Sequence, residues 1–463
     1  VGSERAIVHR NARHIVIPEK MLLPIVENGS LGKNSSSLGL LVYDLLAGVK
    51  KDERRKMLNR HDTKKAEPLL AFENLIGGGL YFEYRTDDSR LTIEIAKSAF
   101  ANNALLLNYA EAKNFLYTAD KKIEGVLAYD KVLNTEVAVK AKAVVNACGP
   151  WVDLLRKEDN SLKGKRLQLT KGVHLVFPYE KLPLQQAAYF DVGDGRMIFA
   201  IPRNNITYVG TTDTVYNQNL DKPQCNKEDV EYLLAAVNRI FPDVKLQQHD
   251  IVSSWAGLRP LIYEEGKSAS ELSRKDEIMI SDSGLISIAG GKLTGYRLMA
   301  GKVVDLVAKK LNKDFGKSNT KNFRLSGGDF KNPEEFRNAL EKFQYECESM
   351  KIPLAKIKEW FFRYGTNMHL VLKNVGMLSS STTKEKVYEQ AELLYCIEHE
   401  MVYSLSDYLV RRTGKIFFEH ASAQQRIEGL NQILSEQLNL SSGSSEKSLL
   451  TAKEEFEAAV TFR

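Results

Sequence analysis

Cysteine is scarce and scattered: four in 463 residues, at Cys148, Cys225, Cys347 and Cys396, with no C-x-x-C pair. Such spacing excludes a disulfide framework and a structural zinc site, and reads as inert thiols in a reducing compartment. Proline and glycine, at 12 and 30, are too few and too irregular for a collagen-like or disordered chain. No apolar run approaches the ~18 residues of a spanning helix. The opening residues VGSERAIVHRNARHIVIPEK also lack the charged, apolar and small-residue zones of a signal peptide. A cytoplasmic protein, at most peripheral on the inner face of the membrane, is the expectation. A strong charge imbalance is missing too: 65 Lys and Arg face 59 Asp and Glu, a net +6 spread along the chain. That leaves no dense basic stripe for nucleic acid, but it suits an anionic small substrate or lipid surface.

What is present is a soluble globular composition, 43% hydrophobic and 27% charged. At ~150 residues per domain the length implies about three folding units. Asp88 to Asn103 reads as an aspartate-capped helix, and IEGVLAYD and TEVAVKAK read as a hairpin turning at KVLN. From Arg166 to Asp213 short strands follow one another, predicting a large, mostly antiparallel sheet. A helix over NKEDVEYLLAAVNRIF carries a stripe of Val230, Leu233, Leu234 and Val237. From Ser326 the text is helical: Asn332 caps, Pro333 opens, and Gly365 closes a second helix. KEKVYEQAELLYCIEHEMVYSLSDYLVRRTG reads as one long third helix. LSSGSSE, at Leu440 to Glu446, reads as a linker to a last short helix.

Generic motifs fail. There is no G-x-G-x-x-G; GGGLYF at Gly77 has Phe82 in the last place, and GGK at Gly290 to Lys292 lacks the rest of a phosphate loop. His399-Glu400 starts like a zinc helix, but Tyr403 stands where the second ligand belongs, so an ion-paired helix face is the reading. Two junctions survive. At Gly290-Gly291-Lys292-Leu293-Thr294-Gly295 a buried strand passes through two glycines into a helix. Backbone N–H groups and a lysine thereby converge at a positive helix end, which suits an anion or a cofactor edge; a plain tight turn would use the same glycines. The same architecture recurs at Asn146 to Trp151 around Gly149, where a Gly-Pro helix start is an equally good account. Three polar residues interrupt strand patterns: His174, opposite Val173, Leu175 and Phe177; Arg259 before Pro260; and Asp213 closing GTTD. Ordinary strand-end polar residues and a shared pocket both fit them.

NACGPWVD, LTKGVHLVFP, IPRNNITYVGTTD, SWAGLRPL and IAGGKLTGYR, in this order, resemble the flavin-dependent glycerol-3-phosphate dehydrogenases, and FFRYG to RRTG is similar to that family's helical domain. The likeness runs from about Val1 to about Gly414. It implies oxidation of sn-glycerol 3-phosphate to dihydroxyacetone phosphate by hydride transfer to FAD, with electrons passed to a quinone, or to oxygen in the oxidase branch. By the resemblance, Arg259 and Arg274 clamp the substrate phosphate, as paired guanidinium donors suit a dianion. His174 takes the C2 hydroxyl proton. Lys292 and the helix start at Leu293 face the flavin's pyrimidine edge. Gly149, Gly290, Gly291, Thr294 and the backbone at Ala112 hold the cofactor.

The implied fold is α/β with α+β character: a Rossmann-like FAD-binding domain over 71–158 and 283–325, a large-sheet substrate domain over 1–70 and 159–282, and an all-α C-terminal domain over 326–463. A peripheral membrane contact and a homodimer are compatible with it. The family opens with a βαβ unit bearing G-x-G-x-x-G, and the likeness here starts after it, so the cofactor domain reads as incomplete. Three lost charge-assisted bonds at roughly 1.5–3 kcal/mol each would weaken FAD binding more than ~10³-fold. The expectation is a chain that holds flavin poorly and folds less well alone. An amine or hydroxy-acid oxidase, needing one arginine clamp, and a chain without catalysis are the alternatives.

Overall fold

The computed structural model describes residues 2–27, 55–71, 73–264, 275–378 and 384–463. Its organising strand is β8 (Lys165–Pro178). Alternation decides its two faces. Val173, Leu175 and Phe177 are fully buried against Val230, Leu233 and Val237 of helix α5 (Lys227–Ile240), whose start is fixed by a capping box of Asn226 and Asp229. His174 faces the other way, as the alternation predicts.

β8 pairs along one edge with the whole of β13 (Ser253–Glu264), and along the other with β11 (Ile206–Gly210) and then β12 (Thr214–Val215). From β11 the sheet runs on through β10 (Met197–Arg203), β9 (Ala187–Asp191), β1 (Val16–Val26), β3 (Leu75–Thr86) and β2 (Lys56–Asn59), nine strands in all. All neighbours are antiparallel except β1 and β9. β3 thus belongs to the large sheet although the boundary read at 70/71 put it with the cofactor unit; its pairing with β1 along the strand decides this.

A second sheet joins β7 (Val145–Asn146) in parallel to β15 (Ile286–Gly290), with β14 (Asp276–Ile280) antiparallel beyond. A meander of β4 (Ala110–Tyr117), β5 (Ile123–Asp130) and β6 (Thr135–Lys140) packs below it, where Phe115, Ile123, Val144 and Leu285 form one core. Short helices α1 (Gly2–Asn11) and α2 (Arg60–Ala66) and the longer α3 (Asp88–Phe100), capped by Asp87, complete the N-terminal half with α4 (Val152–Glu158) and α6 (Tyr296–Lys310). α1 does not side with the large sheet alone: Glu4 holds Arg297 of α6 at 2.6 Å.

The C-terminal region is helical: α7 (Pro333–Ser349), α8 (Leu354–Tyr364), α9 (Met368–Leu378), α10 (Lys384–Glu400), a π-helical turn at Asp407–Arg412, α11 (Lys415–Phe418), α12 (His420–Leu438) and α13 (Ser442–Ala458). Its core is aromatic, with Trp360, Phe361, Tyr364, Tyr395 and Tyr408 fully buried. Two sequence expectations are corrected. The third helix is broken after Glu400, where Met401 takes a positive φ and Asp407 accepts the amides of Tyr403 and Ser404. The serine-rich stretch is no linker: Ser441 accepts the amide of Ser444, and the residues after it form the first turns of α13.

Glu400, the last residue of α10, is tied into a buried ion-pair network. Its buried carboxylate receives both Nη atoms of Arg90 from α3, at 2.6 and 2.7 Å, while Glu94 pairs with the same guanidinium and Lys97 lies 3.3 Å from Glu400. Burial opposes ionisation of Glu400, but Arg90 and Lys97 outweigh it and hold the carboxyl well below the usual carboxylate range. This network joins the helical region to α3. Removing one partner strands a buried charge, so Glu400→Gln is expected to lower stability by about 3–5 kcal/mol, read as a fall in the urea midpoint; an unchanged midpoint would show the network to be dispensable. Arg412 is buried and donates to the Glu400 carbonyl at 2.7 and 2.9 Å, and Arg411 faces Asp407 at 3.7 Å. Among the described residues no helix is long and apolar enough to cross a membrane.

Candidate active site

One face of the large sheet is built from residues that alternation brings together. On β8 these are Gly172 and His174; on β13, Trp255, Gly257 and Arg259; on β11, Tyr208 and Gly210. His174 lies opposite Trp255 on one side and Gly210 on the other, in mid-strand rather than at a strand end. Its ring stacks on the Trp255 indole, centroids 4.6 Å apart at 11°, and meets Tyr208 edge-on at 6.1 Å. Gly210 makes room for it, since a Cβ there would lie 2.3 Å from His174 Cδ2. Nδ1 is buried and has no hydrogen-bond partner among the described residues. Burial first, and then the charge of Arg259, push the imidazole down to about 4, so the ring is neutral at physiological pH.

Arg259 lies over Gly172, one same-face step along β8 from His174; a Cβ at 172 would come within 2.5 Å of its Nη2. Its Nη1 donates to the Thr212 carbonyl at 3.0 Å and faces Asp213 at 3.4 Å, and its Nη2 donates to Thr211 Oγ1 at 2.9 Å. About a third of the side chain remains exposed. A neutral imidazole beside a partly exposed guanidinium can bind an anion and take a proton from it. Arg274 lies outside the described residues.

The two glycine junctions belong to the second sheet and touch the large one at Ile262. β7 and β15 are parallel neighbours, and both run out at their C-terminal ends into glycine turns: Gly149 (φ +56°) into a 3-10 turn and α4, and Gly290 and Gly291 (φ +75° and +78°) into a 3-10 turn at Leu293–Gly295 and then α6. Left-handed backbone at these positions favours glycine. Asn146 ties them together, its Nδ2 donating to the Val152 carbonyl at 2.9 Å and to Ser287 Oγ at 3.3 Å. Ligands of open α/β sheets sit outside such strand ends. Gly290 is pressed against the substrate sheet: a Cβ there would lie 2.5 Å from the Lys275 carbonyl and 3.2 Å from Ile262, three residues beyond Arg259 on β13. Lys292 and Leu293 are exposed at this turn and Thr294 is partly so. Ala112 stands apart, on the edge strand β4 of the meander, opposite Ala128.

The structure thus sets His174, Arg259 and Asp213 on one stretch of the large sheet, while Gly290 touches that sheet at Ile262 and Gly149 follows the neighbouring strand β7. Sequence reading passed over Trp255 and Tyr208, although period-two spacing in SWAGLRP and ITYVG already places them on the faces of Arg259 and Gly210.

Residues 5–297 match the family model for FAD dependent oxidoreductases, and 318–444 match the C-terminal domain of alpha-glycerophosphate oxidase. The chain is 50% identical over 425 residues to the aerobic glycerol-3-phosphate dehydrogenase of Bacillus subtilis (strain 168), covering 90% of this chain and 76% of that protein. It is 46% identical over 445 residues to the aerobic glycerol-3-phosphate dehydrogenase of Staphylococcus aureus (strain COL), covering 95% and 80%. An X-ray structure of the glycerol-3-phosphate dehydrogenase from Bacillus halodurans complexed with FAD matches with a TM-score of 0.87 and 41% identity, over 99% of this chain and 85% of that one. The chain belongs to the FAD dependent oxidoreductase family and carries the helical C-terminal domain of the glycerophosphate-oxidising branch.

Proposed function

We propose that the protein oxidises sn-glycerol 3-phosphate to dihydroxyacetone phosphate and that the electrons go on to a quinone. The observation that carries this is that Arg259, paired with Thr170, extends its guanidinium over Gly172, the same-face neighbour of His174 on β8, so that a base and a phosphate-binding group lie beside each other on one face.

The residues present fit the ring end of a flavin. Gly149 offers open space where a Cβ would stand, Gly290 and Gly291 put left-handed backbone before a helix N-terminus, and the exposed Lys292 adds a positive charge there. Gly149, Gly290, Gly291, Leu293 and Thr294 would hold the cofactor through their backbone, with Ala112 assigned to its adenine end. Bound FAD supplies a two-electron acceptor for the C2 hydride.

The remaining steps belong to side chains. Arg259 receives the phosphate dianion and, with Arg274, fixes the carbon chain. Neutral His174 accepts the C2 hydroxyl proton as the hydride leaves the same carbon, so the alcohol loses both hydrogens and becomes the ketone. The apolar wall of Trp255 and Tyr208 keeps water from the imidazole. Lys292 favours the negative charge that reduction brings to the ring.

Two results are expected. Glycerol 3-phosphate, and not glycerol, drives reduction of a soluble quinone analogue, without stoichiometric hydrogen peroxide in air; peroxide in place of quinol would assign oxygen as the acceptor. Separately, Gly172→Ala, whose Cβ would crowd the Arg259 guanidinium and Thr211 Oγ1, raises the substrate KM about tenfold. An unchanged KM would remove Arg259 from the phosphate site. Vesicle flotation of the holoenzyme with anionic lipid tests the peripheral membrane contact proposed with the quinone.

A further inference from the structure

The helical C-terminal domain reaches the catalytic face at one place. After Gly414, held at φ +66°, the short helix α11 presents Phe417 and Phe418 to the large sheet. Their rings stand 5.5 and 5.6 Å from the Trp255 indole, and Phe418 also meets Tyr208 at 6.2 Å. Arg203 of β10 lies over the Phe418 ring at 4.0 Å, with Asp87 3.6 Å from its guanidinium. The turn is anchored at both ends. Lys415 is buried against Glu392 at 2.9 Å inside the helical core, and Ser253 of β13 donates to the Phe417 carbonyl at 2.6 Å. Gly414 permits the fold-back, since a Cβ there would press on the Phe418 ring at 3.1 Å.

A histidine that works as a base is usually oriented by a hydrogen bond to its second nitrogen. His174 has none among the described residues, for its Nδ1 is buried without a partner. Its strand neighbours provide little lateral support either: Gly172 precedes it on the same face, Gly210 lies beside it, and Gly257 sits diagonally across β13. The large groups that define the ring plane are Trp255, by parallel stacking, and Tyr208, edge-on. Both rest on Phe418.

We propose that the C-terminal domain is part of the catalytic positioning machinery: Phe417 and Phe418 hold the Trp255 indole, and Trp255 fixes the plane of the His174 imidazole. The inference rests on His174 being the base. Stacking takes the place of the absent hydrogen bond, and the indole face also favours the imidazolium formed when the hydroxyl proton arrives. Phe417, Phe418 and Trp255 are positioning residues in this account. The charged or titratable groups around the imidazole are Arg259 of β13 and Tyr208 of β11. Arg203 with Asp87 lies behind Phe418, and the paired Lys415 lies on the domain side.

The test uses the FAD-loaded protein with histidine rings labelled for NMR, the His174 signal being identified by its loss in His174→Asn. In Phe418→Leu, water reaches the ring and the stack loosens. The His174 titration is expected to move up by about one pH unit, the acid limb of kcat to move with it, and kcat to fall about tenfold, while KM for glycerol 3-phosphate stays within twofold. Phe418→Tyr should restore all three. A role confined to stability would lower the melting temperature and leave the titration and the limb in place, which would overturn the proposal. If the titration moves and the limb of kcat does not, the contact chain stands and His174 is not the base. Should Phe418→Leu fail to fold, Trp255→Leu, cut at the next link from within the sheet, is expected to give the same upward shift, and a wild-type titration there would overturn the proposal equally.

Discussion

Replacing His174 with asparagine is expected to lower kcat by about 10²–10⁴-fold, the usual contribution of a positioned base, with little change in KM. Asparagine keeps the size of the ring's first atoms and is neutral, as the buried imidazole is. The loss should therefore appear in the chemical step, measured as the rate of flavin reduction after rapid mixing with glycerol 3-phosphate. The pH dependence carries a definite sign. The working form is neutral, and burial together with Arg259 pushes the imidazole down to about 4. The base is therefore already deprotonated well below pH 6.5, and activity is lost only as pH falls toward the lowered value. The acid limb of kcat should accordingly lie below that of an ordinary imidazole. A rate within threefold of wild type for His174→Asn would move the proton to another acceptor.

Arg259→Ala is expected to raise KM for glycerol 3-phosphate by about 10²–10⁴-fold, because two charge-assisted bonds at roughly 1.5–3 kcal/mol each disappear. Asp213, now 3.4 Å from Nη1, would face the phosphate directly and add repulsion. Arg259→Lys should recover only part of the loss, since an ammonium keeps the charge but not the paired donors. The two predictions are coupled: loss of the Arg259 charge should let the imidazole titrate higher, so the acid limb of kcat moves up in Arg259→Ala. Saturation kinetics across pH 4–8 measures both effects, and a KM unchanged in Arg259→Ala would place the phosphate elsewhere.

The sequence made legible whatever a short period encodes. Val173, Leu175 and Phe177 alternating with His174 give the strand, its apolar face and the histidine on the opposite face together. Gly290-Gly291 and Gly149-Pro150 mark strand-to-helix turns because few other residues accept that backbone. Arg259 was reached by spacing and resemblance together. Contacts between side chains far apart in the chain were not legible. Nothing local says that Glu400 is paired with Arg90 or that Met401 turns left-handed, so the pattern reads as helix straight through the break after Glu400. Nothing near Phe417 or Phe418 names Trp255 as their partner, and a run of serines looks like a linker until Ser441 is seen capping a helix. The edge of a sheet is equally non-local, which is why β3 was placed with the cofactor unit although its hydrogen bonds go to β1.

The most direct measurement of the central claim is a single turnover without oxygen. On mixing the flavin-loaded protein with glycerol 3-phosphate, the visible flavin absorbance should bleach, with one dihydroxyacetone phosphate formed per flavin, and glycerol or an α-hydroxy acid at the same concentration should leave it oxidised. Flavin that stays yellow with glycerol 3-phosphate, or bleaches equally with a hydroxy acid, would contradict the assignment.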